Sequence, residues 1–207
     1  MVKPTLRGIL ADVVRRVDCE PASSIDTCTD FEILLEILVQ FYNKVKELSY
    51  SKDVKYKKLL KKYLAYIAIL IIIAVNGLRA REALKVAKAF YETGERVLKL
   101  KAMKSGNTRL AIIPDFIEPR DIEYVYSRLQ RVGEVKVRQR LDEFAKGMFG
   151  TTLHGIRYSF VRYLRERGVS VEDIATTLGH KEARTVVRWY LRTYLGARRR
   201  KYNAEVR

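Results

Sequence analysis

Six side chains fall at polar interruptions between apolar stretches: Arg79, Lys104, His154, Arg157, His180 and Tyr190. The chain has only two histidines, and each sits in a short polar cluster. His154-Gly155-Ile156-Arg157 sets a histidine three residues before an arginine, a spacing that turns both to one side of a helix. Leu178-Gly179-His180 is followed, ten residues past its histidine, by Tyr190. This set suits a phosphodiester. Guanidinium groups clamp non-bridging phosphate oxygens in a planar fork and stabilise the charge that builds on a pentacoordinate phosphorus. A phenol can serve as nucleophile and give a covalent phosphotyrosine. A lysine on a hairpin tip can protonate the leaving oxygen. With no closely spaced histidine or aspartate pair, the expectation is chemistry without metal or cofactor.

Taken singly, each residue has an ordinary explanation. Tyr190 shares a helical face with Val186 and Tyr194, as a core tyrosine would. Arg79 is placed to pair with Glu82, three residues on. Lys99 and Lys101 compete with Lys104. The joint pattern carries the argument.

The elements that must position these residues are mostly helical. Residues 4–17 read as a short amphipathic helix, and Pro21 to Thr27 as a turn-rich break. Thr29 or Asp30 can cap a helix whose apolar positions Phe31, Leu34, Leu35, Leu38, Val39 and Tyr42 follow the 3.6 period. Lys44 to Lys62 holds eight lysines and reads as an exposed basic face. The apolar stretch 63–75 predicts a buried helix, too short in its apolar run to span a membrane, ending at Asn76-Gly77. Leu78 to Leu84 begins the next. Residues 96–101 and 109–113, around Lys104-Ser105-Gly106-Asn107, predict a β-hairpin. Two charged helices are expected over 118–149 on either side of Gly133. A helix over 153–167 would be capped by Thr151 or Thr152. Ser170 and Asp173 open another in capping-box style, stopped by Gly179. A last helix over 182–195 leads into the basic tail Arg198 to Lys201. The predicted class is mainly α with a small antiparallel sheet, α+β.

Composition narrows the partner. The chain has 207 residues, 41 Lys and Arg, 24 Asp and Glu, and a net charge of +17. The first fifty residues are slightly acidic, so the whole excess lies beyond them. Such asymmetry points to nucleic acid. Heavy charge with few Asn and Gln points to a thermophilic source. Met1-Val2-Lys3-Pro4-Thr5 lacks the apolar run of a secretory signal, and no membrane role is expected. An intracellular, cytoplasmic protein is expected, with Cys19 and Cys28 reduced and without zinc-site spacing.

The joint pattern resembles the tyrosine recombinases, the phage-type integrases, and most of all integrases of archaeal fusellovirus type. Asn76-Gly77-Leu78-Arg79-Ala80-Arg81-Glu82 resembles their T-G-L-R-x-x-E segment, with Asn for Thr. Lys104 to Arg109, running on to Pro114, is similar to their lysine hairpin. His154-Gly155-Ile156-Arg157 and Leu178-Gly179-His180 match H-x-x-R and L-G-H. The family's usual interval from that last histidine would land on Trp189; one inserted residue makes Tyr190 the nucleophile, with Tyr194 as runner-up. The likeness covers roughly residues 27–207, which it implies are a catalytic domain of the tyrosine recombinase fold. Residues 1–26 form an N-terminal extension too short for the family's separate DNA-clamping domain, as in an excised domain or a reduced protein.

The resemblance implies a site-specific recombinase that cuts and rejoins duplex DNA at attachment sites through a 3′-phosphotyrosyl link, without metal or ATP. Tyr190 would attack and Arg79 and Arg157 would hold the phosphate. His180 would add a hydrogen bond to it, and His154 would orient it or move the tyrosine proton. Lys104 would protonate the leaving oxygen, and Glu82 would support Arg79 from behind. It implies a homotetramer on two synapsed duplexes, a monomer or weak oligomer without DNA, and a virus or mobile element in its host's cytoplasm. The alternatives are strand cleavage and religation of type IB topoisomerase kind, and a DNA-binding module that keeps the fold without catalysis.

Overall fold

The computed structural model describes residues 31–50, 56–101 and 106–187. Its elements are α1 (Phe31–Tyr50), α2 (Lys57–Asn76), α3 (Ala80–Thr93), β1 (Val97–Lys101), β2 (Thr108–Ile112), a 3-10 turn (Pro119–Ile122), α4 (Glu123–Phe149), α5 (Leu153–Glu166), α6 (Val171–Thr177) and α7 (Ala183–Val186). The class is α+β, as the sequence predicts: helices with one two-stranded antiparallel sheet.

Helix α2 is the axis of the molecule. Every residue from Leu64 to Ala74 is buried, and α1, α3, α4, α5 and the 3-10 turn all pack on it. A helix apolar on all sides must be enclosed on all sides. By length and composition α2 could cross a membrane, but here its apolar surface is taken up by protein. The run Ile71-Ile72-Ile73 is no strong helix former, since β-branched side chains lose rotamer freedom in a helix. Burial compensates, at about 1.5–3 kcal/mol for each fully enclosed Ile or Leu.

Helix α2 stops at Gly77, in the left-handed region at φ 55°. Two constraints meet there. The conformation favours glycine, and a Cβ would lie 2.4 Å from a ring carbon of Phe160. Just before it, Asn76 ends the helix and works as a surrogate strand. Its Oδ1 accepts from the Ile112 amide at 2.7 Å and its Nδ2 donates to the Ile112 carbonyl at 2.8 Å. A threonine hydroxyl is a single group at that reach. Asparagine at this position therefore fixes β2 against the end of α2.

Several sequence expectations hold in detail. Gly133 breaks α4, with φ 77° and ψ 168° inside an otherwise helical stretch. Thr152, not Thr151, caps α5 by accepting from the Gly155 amide at 2.8 Å. Ser170 caps α6 by accepting from Asp173 N–H at 3.0 Å. The α2 helix starts earlier than expected, at Lys57. The basic face expected over 44–62 needs a correction at Lys46. Its Nζ lies 3.0 Å from both Glu118 and Asp121, and Tyr42 and Tyr50 also donate to the buried Asp121 carboxylate. Lys46 thus clamps α1 to the 3-10 turn, while Lys44, Lys57, Lys58 and Lys61 remain exposed. The helix expected over 4–17, the break at 21–27, the cap at Thr29 or Asp30, and most of the last helix lie outside the described residues.

Gly77→Ala should lower unfolding free energy by about 2–4 kcal/mol, combining left-handed strain with overpacking against Phe160. Urea denaturation of the two proteins measures it.

Candidate active site

Two helix N-termini open onto one cleft of about 690 Å³. Leu78, Arg79 and Ala80 bring the start of α3 to it, and Leu153, His154 and Arg157 the start of α5. The far wall is the second half of α4, with Arg138, Asp142 and Lys146 four residues apart along one stripe. Asp142 is not a free negative charge. It accepts from the Leu153 amide at 3.0 Å and pairs with Lys146 at 2.8 Å. Three arginines, Lys146 and His154 outnumber the two carboxylates Asp142 and Glu143 in the lining, and with two helix N-termini this gives the cleft a positive balance suited to an anion.

Behind the cleft, the buried carboxylate of Glu82 organises the cations. Glu82 is the third residue of α3 and accepts from the Arg79 backbone N–H at 2.8 Å, the reciprocal half of a capping box. Its other oxygen takes Arg79 Nη1 at 3.1 Å. Arg109 Nη2 sits 2.5 Å away and Arg157 Nη1 3.7 Å away. Burial alone would raise the Glu82 pKa. The three guanidiniums, Arg109 foremost, together with the Arg79 backbone hydrogen bond, outweigh it and hold the carboxyl below its ordinary value.

Arg157 is only 1% exposed although it lines the cleft. Its Nη1 donates to the Gly77 carbonyl at 2.5 Å, so the glycine that ends α2 also aims this arginine. Its Nη2 lies 3.1 Å from His180 Nε2. An anion meeting Arg157 must shed water, which makes each charge–charge contact count for more.

His180 is 9% exposed, and its pKa is lowered to about 4 by burial, then by the charges of Arg157, Arg79 and Arg109. The ring is neutral at pH 7. An arginine can only donate, so His180 Nε2 accepts and the ring proton belongs on Nδ1. His154 presents more surface to solvent, yet packing around its ring and the charges of Arg157 and Arg79 depress its pKa too.

The described structure thus brings Arg79, Glu82, His154, Arg157 and His180 together. Lys104 and Tyr190, with the runner-up Tyr194, lie outside the described residues. Lys99 and Lys101, the rivals of Lys104, leave the sheet on the face opposite Arg109. Among the described residues no group of three His, Cys, Asp or Glu side chains is placed to hold a metal ion.

The chain is 35% identical over 149 residues to a protein named "Putative integrase ORF241" of Acidianus two-tailed virus. That relative is an integrase by name. The match takes in 72% of this chain and 61% of the relative, so the chain spans about three fifths of the relative's length. No family model matches the chain, and no solved structure matches it.

Sequence reasoning missed two residues of the assembly. Arg109 stands in the hairpin stretch but was given no role; it is 7% exposed and holds Glu82. Asn107 Nδ2 donates to the His180 carbonyl at 3.3 Å, mooring the hairpin to the Leu178-Gly179-His180 turn. The signal for Arg109 was its strand parity. Leu98 and Leu100 set the inward face of β1, and the register pairs them with Ala111 and Arg109.

The depressed histidine pKa makes stability depend on acid. Between an unfolded value near 6.5 and the folded value of about 4, the unfolded chain binds a proton that the folded chain refuses. Stability therefore falls as pH drops through that window, by about 2–3 kcal/mol at pH 4.5 from His180. His154 adds in the same direction. Denaturation at pH 7 and 4.5 should show this loss, and His180→Gln should flatten the dependence whatever its stability at pH 7.

Proposed function

We propose that this chain is a tyrosine recombinase catalytic domain, cutting and rejoining duplex DNA through a 3′-phosphotyrosyl intermediate. The observation that carries the reading is the convergence of Arg79, His154 and Arg157 on one cleft, with His180 against Arg157 and a buried glutamate behind them. The similarity to a viral protein named as an integrase supports DNA integration as the wider activity. The net charge of +17 supports a polyanionic partner.

In this mechanism the Tyr190 phenolic oxygen attacks the scissile phosphorus. The bond from phosphorus to the 5′ oxygen breaks, and the new ester joins the tyrosine to the 3′ side. Arg79 reaches the phosphate from the cleft and Arg157 from its wall, each neutralising a non-bridging oxygen. Neutral His180, with its proton on Nδ1, can donate from that atom while Nε2 stays with Arg157. His154, at the open side, orients the phosphate or takes up the phenol's proton. Lys104 gives the leaving 5′ oxygen a proton. The ester conserves the energy of the broken bond, so a 5′ hydroxyl of another strand can reverse the step without ATP.

Residues 27–207 form the catalytic unit in this reading, acting as a homotetramer on two duplexes inside the host cell.

Nicked, end-labelled duplex bearing the cognate attachment site, incubated in EDTA, should give an SDS-resistant protein–DNA adduct. Tyr190→Phe should abolish it and Tyr194→Phe should not; the opposite result would keep the chemistry and move the nucleophile. A bound cognate site with no adduct would favour the non-catalytic module. Relaxation of supercoils without joining two duplexes would favour the topoisomerase-like reading. Arg79→Lys and Arg157→Lys should each slow adduct formation by about a hundredfold, since an ammonium lacks the planar fork. Duplex affinity of the wild type should fall linearly on log–log axes with added salt.

A further inference from the structure

We propose that Arg109 is a positioning residue of this cleft: a bridge from strand β2 to the Glu82 carboxylate and the Thr177 carbonyl that holds His180 against Arg157. The proposal rests on the reading of the cleft as a DNA-cleaving site, and its geometry stands apart from that reading.

The bridge joins three elements distant in sequence. Nη2 meets Glu82 of α3 at 2.5 Å, and Nη1 donates to Thr177 O at the end of α6 at 3.0 Å. His180 follows three residues after Thr177, its amide tied back to Ala175 O at 2.8 Å. Asn107 takes the His180 carbonyl from the other side. The turn that carries His180 is therefore held from the hairpin at both ends.

An arginine on this face needs a reason. On the same strand Leu110 and Ile112 are 60% and 59% exposed, while Arg109 points inward. Burying a guanidinium is costly unless its charge and its N–H groups are met. Glu82 and Thr177 meet two of them, whereas Nε is buried with no acceptor among the described residues. A plain core position would be filled more favourably by Leu or Met.

Competition for Glu82 explains what the bridge accomplishes. Arg109 holds one Glu82 oxygen at 2.5 Å, whereas Arg157 stands off the same oxygen at 3.7 Å. With that oxygen occupied, Arg157 is left to Gly77 O and His180 rather than drawn into a tight pair with Glu82. One carboxylate among three guanidiniums leaves the cluster with net positive charge facing the cleft.

Arg109→Met keeps length and removes charge and donors. It is compared with wild type and Arg109→Lys in three measurements: duplex affinity, adduct rate on nicked cognate DNA, and NMR titration of the histidines in the free protein. Only two histidine signals exist, and His154→Gln assigns them. Groups facing His180 are Arg157, Arg79, Arg109 and Glu82. The expected result for Arg109→Met is affinity within about threefold of wild type and an adduct rate lower by about tenfold or more. Its His180 midpoint should move up from about 4. Arg109→Lys should recover part of the rate. An unchanged rate and titration would overturn the proposal. A loss of affinity matching the loss of rate would also overturn it, making Arg109 a phosphate contact. If Arg109→Met does not fold, Arg109→Lys decides: one ammonium cannot span Glu82 and Thr177, so its rate must fall, and an unchanged rate overturns the bridge. If wild type forms no adduct, the cleavage reading fails, while the His180 titration still tests the bridge.

Discussion

A single carboxylate, buried and surrounded by guanidiniums, sets the terms for everything around it. Glu82 is 1% exposed and cannot be ionised there without cations, and the three arginines cannot be crowded there without an anion. The imbalance, three positive charges to one negative, is the useful part. It leaves a desolvated positive field at the starts of α3 and α5, where the backbone dipoles already favour an anion. It also adds to burial, the larger cause, in keeping His180 neutral, because one more proton would be one more cation in the same space.

The rest of the fold can be understood as what keeps those charges in register. Helix α2, enclosed along eleven consecutive residues from Leu64 to Ala74, ends with two residues that both reach into the site's frame. Asn76 fastens β2 by pairing with Ile112, and the Gly77 carbonyl receives Arg157. The close approach of Phe160 to Gly77 sets how near α5 comes to the end of α2, and α5 carries both His154 and Arg157. A rigid, apolar axis thus fixes polar atoms at its tip. The site is built on helix ends and one strand rather than on a free loop, so its geometry has the stiffness of the core behind it.

The hairpin contributes in the same way. Its outer face, with Val97, Lys99, Leu110 and Ile112, looks to solvent, while Arg109 and Asn107 reach inward to the α6 turn. Strand β2 therefore ties to α2 through Asn76, to α3 through Glu82 and to α6 through Thr177. These polar links add to the apolar anchoring of the hairpin by Leu98, Ala111 and Ile113, which are buried in the core.

Much was determined by the amino-acid sequence alone. Local rules placed the helices because each rests on near neighbours: the apolar run of α2, the caps at Thr152 and Ser170, the break at Gly133 and the stop at Gly179. The site candidates His154, Arg157 and His180 were legible because the chain's two histidines fall in short polar clusters, and Arg79 and Glu82 because they stand three residues apart at a helix start within a motif that resembles a known one. Tertiary structure decided what depends on long-range pairing. It turned Arg109 inward and Leu110 outward, against simple hydrophobic alternation, since the register with Leu98 and Leu100 and the pull of Glu82 outweigh the exposure of two aliphatic side chains. It took Lys46 out of the basic face, because Asp121 arrives from seventy-five residues away. It also paired Asn76 with the Ile112 backbone, thirty-six residues on. Charge partners across such separations leave no periodic trace in the sequence, and only the folded chain shows which carboxylate each cation meets.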